Sequence, residues 1–187
     1  MTLTAKCFVR HVIEKKVVIK VMKELLLTEQ EVVDLVVNFL VEKEDGQWHI
    51  ETLKDHTLHQ SGADIDIRGG KKNTERFIIE CKKKSHSKSA NSVNKEGWLT
   101  ALGQLISRME ANRTIASGKY KGEPNRATKY GLGLYWVGAK VALRRIPYNV
   151  AKTLNLYIFA VDESGYVKQF SPKDFGKDYT DSTFHKS

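Results

Sequence analysis

Apolar and polar positions change period several times along the chain, and each change marks an element. Val32, Leu35, Val36, Phe39 and Leu40 recur at helical spacing, predicting a helix from Thr28 to about Glu42. Thr28-Glu29-Gln30-Glu31 opens it, with Thr28 as cap and Glu31 at the capping-box position. After the turn Asp45-Gly46-Gln47, Trp48–Leu53 alternates as a strand. Ala63–Arg68 also alternates: Ala63, Ile65 and Ile67 fall on one face, Asp64, Asp66 and Arg68 on the other. Gly69-Gly70-Lys71-Lys72-Asn73 reads as a turn. A second strand, Arg76–Lys82, sends Phe77, Ile79 and Cys81 one way and Ile78, Glu80 and Lys82 the other.

Helical spacing returns over Gly97–Met109. Trp98, Leu102, Leu105, Ile106 and Met109 make the expected apolar stripe, with Gln104 and Arg108 neighbours on the other face. Tyr130–Val137 is a continuous apolar run, hence a buried central strand, and its glycines imply close packing by a neighbour. Ala139–Arg145 reads as irregular or a short helix and Pro147–Leu154 as a helix. Leu156–Val161 is a strand. Asp162–Gly165 turns into its antiparallel partner, Tyr166–Phe170. The domain spans 28–175. Residues 1–27, β-branched and then helix-favouring, form an N-terminal extension on the core or on a second subunit, and 176–187 a loosely held tail.

The 187 residues suit one domain with a sizeable core. Lys and Arg number 31 against 22 Asp and Glu, a net charge of +9, which favours a polyanionic partner, nucleic acid before anionic membrane. Two cysteines, Cys7 and Cys81, fit a reducing cytoplasm and do not make a zinc site. With no signal peptide and no apolar run of spanning length, a cytoplasmic protein without a membrane partner is expected. His56 and His59 flank the loop before Asp64 and are read as ordinary polar residues.

Candidate chemistry centres on the two strands from Ala63 to Lys82. Paired as a hairpin, they put the Asp64 and Glu80 carboxylates on one surface with the Lys82 ammonium beside them. Adjacent carboxylates repel, and a divalent cation relieves the repulsion. Oxygen ligands at an open position suit Mg²⁺, with Mn²⁺ as a substitute. Such a cation acidifies water and offsets charge on a phosphate under attack, and a nearby lysine can hold the water or the developing charge.

Gly62-Ala63-Asp64 followed by Ile78-Ile79-Glu80-Cys81-Lys82 resembles the PD-(D/E)xK nuclease superfamily, the restriction-endonuclease-like phosphodiesterases. The proline that often precedes the aspartate is absent. The resemblance implies an α/β fold: an αβββαβ core with a mixed central sheet and helices on both sides. It implies a Mg²⁺-dependent DNA endonuclease, restriction- or resolvase-like, leaving a 5′-phosphate by in-line attack. Asp64 and Glu80 would hold metal and Lys82 would position water, with Asp66 as the rival to Asp64. A glutamate from the first helix would join them. Glu29 and Glu31 are the candidates, and Glu31, further into the helix, is carried forward. Gln104, in Gly103-Gln104-Leu105, would approach the lysine and the scissile phosphate. A homodimer is expected on the same grounds.

Basic residues around this centre are the candidate nucleic-acid contacts. Lys83, Lys84 and Lys88 follow the second strand in a polar loop reaching Asn94. Arg108 neighbours Gln104, and Lys119, Lys121 and Arg126 lie with Tyr120 in the loop Ser117–Lys129. Two alternatives stand beside the nuclease: a catalytically silent module of the same fold binding nucleic acid or a partner, and an unrelated basic α/β adaptor.

Overall fold

The computed structural model describes residues 27–43, 48–49, 63–69, 75–83, 90–109 and 127–184. Helix α1 (Glu29–Lys43) precedes strands β1 (Trp48–His49), β2 (Ile65–Gly69) and β3 (Glu75–Lys82). Helix α2 (Ala90–Ser107) leads to β4 (Lys129–Tyr135). Helices α3 (Trp136–Arg145) and α4 (Tyr148–Leu154) then precede β5 (Leu156–Val161) and β6 (Val167–Phe170). A 3₁₀ turn (Pro172–Asp174) and a short α5 (Asp181–Phe184) follow.

The protein is a mixed α/β structure. The six described strands form one sheet in chain order, β1-β2-β3-β4-β5-β6. The pairs β1/β2, β2/β3 and β5/β6 are antiparallel, while β3/β4 and β4/β5 are parallel. Each parallel pair needs a helical crossover, α2 in the first case and α3 with α4 in the second.

Strand alternation divides the core in two. On one side α1 lays Val32, Val33, Val36, Val37 and Leu40 against Ile65, Ile67, Phe77, Ile79, Cys81 and Phe159. On the other, α2, α3 and α4 cover Ile78, Leu132, Leu134, Leu156 and Ile158. Glycines in β4 thin the α1 side. A Cβ at Gly131 would lie 3.0 Å from both Ile79 and Phe77, and one at Gly133 2.5 Å from Cys81 Sγ. These contacts supply the close packing that the β4 glycines imply.

Several boundaries differ from the sequence expectation. Gly69 continues β2, paired with Glu75 and Trp48, instead of opening a turn. Helix α2 begins at Ala90, inside the stretch expected to be a basic loop. Serine and asparagine there cost a helix at most about 0.7 kcal/mol each, which tertiary packing readily overrides. Its phase also differs. Trp98, Ala101 and Leu105 are buried, whereas Ile106, counted in the apolar stripe, is 53% exposed. The small residues Gly97 and Ala101 bring the helix close to the sheet, so the Gln104–Arg108 edge faces inward.

The apolar run at Tyr130 ends as a strand at Tyr135, because Trp136 starts α3. Trp136, Ala139, Ala142 and Leu143 are its buried, helically spaced positions. The tail is not loose through Phe184. That ring is fully buried, stacked 4.3 Å from Trp136, and Trp136 Nε1 donates to Asp181 Oδ1 at 2.8 Å. Ser171 and Asp174 form a capping box that opens the 3₁₀ turn, which packs against α4. Aromatic residues spaced widely in a polar segment, Phe175, Tyr179 and Phe184, are what the tail packs with, and they carry no periodic signal.

Candidate active site

β2 and β3 pair with Ile65 opposite Ile79. Carried one position outward, that register sets Asp64 opposite Glu80. Directly opposed residues of an antiparallel pair share a face. That face is the one with Ile78, covered by α2. Lys82 follows on it by the same alternation, and a Cβ at Gly97 of α2 would lie 3.9 Å from Lys82 Cβ.

The side chains are held in detail. Asp64 Oδ2 accepts a hydrogen bond from the Cys81 amide at 2.6 Å. Glu80 is 1% exposed, and its Oε1 accepts from Arg108 Nε. Each carboxylate therefore keeps a second oxygen, Asp64 Oδ1 and Glu80 Oε2, that no described residue hydrogen-bonds. Burial, followed by the charge of Asp64, raises the Glu80 carboxyl to about 7; Arg108 and Lys82 act in the opposite direction. Lys82 Nζ donates to Glu29 Oε1 at 3.3 Å, joining β3 to the first turn of α1.

Glu31 stands elsewhere. Its Oε2 accepts from the Thr28 amide at 2.5 Å while its own amide donates to Thr28 Oγ1 at 3.2 Å, the reciprocal capping box. These bonds lower its carboxyl below the usual value. The structure thus brings Glu29, and not Glu31, to Lys82. The signal was in the sequence: a glutamate three residues after a capping threonine is committed to the cap, and that leaves the other acid of the first turn.

Asp66 is paired with Arg76 through two hydrogen bonds, 2.8 Å from Nε and 2.5 Å from Nη2, and does not share the Asp64 position. Gln104 lies on α2 one turn before Arg108, and its Oε1 is buried without a hydrogen-bond partner. A buried acceptor left so costs about 1–3 kcal/mol, which calls for a donor from water or ligand. Arg108, expected as a nucleic-acid contact, donates from Nε to Glu80 and is 26% exposed. Sequence spacing gave no hint of this, because α2 was phased with Arg108 outward. Lys83 is exposed at the end of β3. Lys84, Lys88, Lys119, Lys121, Arg126, His56, His59 and residues 1–26 lie outside the described residues, as does most of the strand expected at Trp48–Leu53.

Among the described residues, no group of three or more His, Cys, Asp or Glu side chains is arranged to hold a metal ion. The pair Asp64–Glu80 still fits a hydrated Mg²⁺, which takes one or two carboxylates and completes its shell with water and substrate phosphate. The two unengaged oxygens and the mutual repulsion that raises Glu80 are what such a cation would meet. No described helix is long and apolar enough to cross a membrane. Comparison of the chain with family models, with curated proteins and with solved structures gives no match.

Proposed function

We propose that this protein is a divalent-cation-dependent phosphodiesterase acting on nucleic acid, a DNA endonuclease of the restriction-endonuclease-like kind. The observation that carries the reading is the β2/β3 register, which sets Asp64 against Glu80 on the face that also bears Lys82. The order α1-β1-β2-β3-α2-β4, with β3 and β4 parallel, supports the αβββαβ core. The net charge of +9 supports a polyanionic substrate.

In this reading Asp64 and Glu80, each with one oxygen that no described residue hydrogen-bonds, would hold Mg²⁺, or Mn²⁺ in its place. When bound, the cation supplies acidity to water and offsets charge at the phosphate. Lys82 is the donor for the attacking water or for the phosphate oxygen that gains charge. Glu29 orients Lys82 through its hydrogen bond to the ammonium. The Gln104 carbonyl oxygen accepts from a water in the site.

The test is cleavage of supercoiled plasmid and of branched DNA with Mg²⁺, comparing the wild type with Glu80→Ala. The expected loss is about 10³-fold, the scale of removing one charge-stabilising group from an active site. One observation favours a second reading, the silent binding module: Lys82 and Glu80 are each already engaged by a side chain. Salt-dependent DNA binding with no cleavage under Mg²⁺ or Mn²⁺ would establish that reading instead.

A further inference from the structure

We propose that Arg108 is a positioning residue for Glu80, pinning one carboxylate oxygen so that the other stands toward Asp64. The inference rests on the cation-dependent reading above and assigns Arg108 a part in it that does not touch the substrate.

The helix geometry comes first. Gly97, Ala101, Gln104, Leu105 and Arg108 share the side of α2 that meets the sheet, with Gly97 over Lys82 and both Ala101 and Leu105 fully buried. Arg108 follows the last residue of α2 in a turn closed by its amide on the Leu105 carbonyl, and there Nε meets Glu80.

Burial then separates positioning from substrate contact. Glu80 is sealed at 1% exposure, while Arg108 keeps 26%. An arginine that grips a phosphate has to offer its donors to an open groove. Here Nε is committed to a buried carboxylate, for which a lone charge would be the costly alternative. Asp64 is treated alike by different means, since the Cys81 amide holds one of its oxygens. Both acids are thus tied by one oxygen and offer the other. Hydrogen-bonded support of this kind around a ligating carboxylate is what fixes its orientation.

Mn²⁺ binding to the full chain, measured by calorimetry on metal-free protein, tests the inference. Arg108→Gln should weaken Mn²⁺ about 10–100-fold. Arg108→Lys, which keeps a charged donor but not the planar fork, should recover part of that loss. In a Glu80→Gln background, Arg108→Gln should add nothing, because its route runs through Glu80. DNA binding without divalent metal should keep the same salt slope in wild type and Arg108→Gln. A phosphate contact would reduce that slope by about 1.

Mn²⁺ affinity that is unchanged or tighter in Arg108→Gln overturns the inference, as does the reduced slope. Should Arg108→Gln fail to fold by circular dichroism, Arg108→Lys decides: intermediate affinity supports the positioning role and wild-type affinity overturns it. A wild type that binds no Mn²⁺, indistinguishable from Glu80→Gln, removes the cation reading as well. Tight wild-type binding that ignores Arg108 removes this inference alone.

Discussion

Strand β3 turns Phe77, Ile79 and Cys81 toward α1, and Ile78, Glu80 and Lys82 toward α2. The α1 side is closed by shape. Phe77 packs on Phe159 at 5.5 Å between ring centroids, and Gly131 and Gly133 supply the hollows that these side chains fill. The α2 side begins in the same way with Ile78, but two positions later it carries a carboxylate into an apolar setting. There the partners are charges and hydrogen bonds: Arg108 on Glu80 and the Cys81 amide on Asp64. One strand thus serves two physical regimes. The contrast teaches that the polar side stands on the rigidity of the dry side, since Cys81 offers its thiol to one and its amide to the other.

The largest effect that should expose this contrast is on the pH dependence of stability. Burial, with the charge of Asp64 beside it, raises the Glu80 carboxyl from its usual 4.5 to about 7 in the folded protein, against the pull of Arg108 and Lys82. Well below pH 4.5 the carboxyl is protonated in both states and adds no pH dependence. Between 4.5 and 7 the unfolded chain releases a proton that the folded one retains, so stability falls by about 3 kcal/mol and then levels. Chemical denaturation at several pH values, with chelator present, should show that slope in the wild type and its loss in Glu80→Gln.

A smaller effect belongs to the dry side. Gly133→Ala would put a methyl 2.5 Å from Cys81 Sγ. Overpacking of this kind costs about 1–3 kcal/mol. Combining it with Cys81→Ala should cost less than the two changes do separately, measured by urea unfolding, because the second change vacates the space that the first one needs. Smallest is the effect at the α1 terminus. Glu29→Gln should slow Mg²⁺-dependent cleavage about tenfold, the scale of a lost orienting partner. Glu31→Gln should leave the cleavage rate unchanged, since that side chain serves the cap.

The sheet side of this molecule was readable because period-two alternation is a strong local signal. Ile65, Ile67, Phe77 and Ile79 are buried where alternation put them, and β5 runs over Leu156–Val161 as expected. The pairing that sets Asp64 against Glu80 follows from the same alternation. The helix side was harder. The α2 stripe was phased on Leu102 and Ile106, yet small Ala101 and charged Arg108 win the inward positions, a choice that only a partner carboxylate explains. Trp136 looked like the end of a strand because a large apolar residue fits either period; its burial against Phe184 is a contact across 48 positions, arithmetic that no local window contains. Of the two glutamates in the first turn, the capping motif already indicated which one was spoken for.

The missing side chain at Gly133 has a use in the laboratory. With the Cys81 thiol lodged in that hollow, fully enclosed under α1 and pushed above its ordinary pKa by burial, a thiol reagent cannot reach it while α1, β3 and β4 stay packed together. Labelling at this position therefore counts only molecules in which that packing has opened, and its rate times the exposure of the strand that carries Glu80.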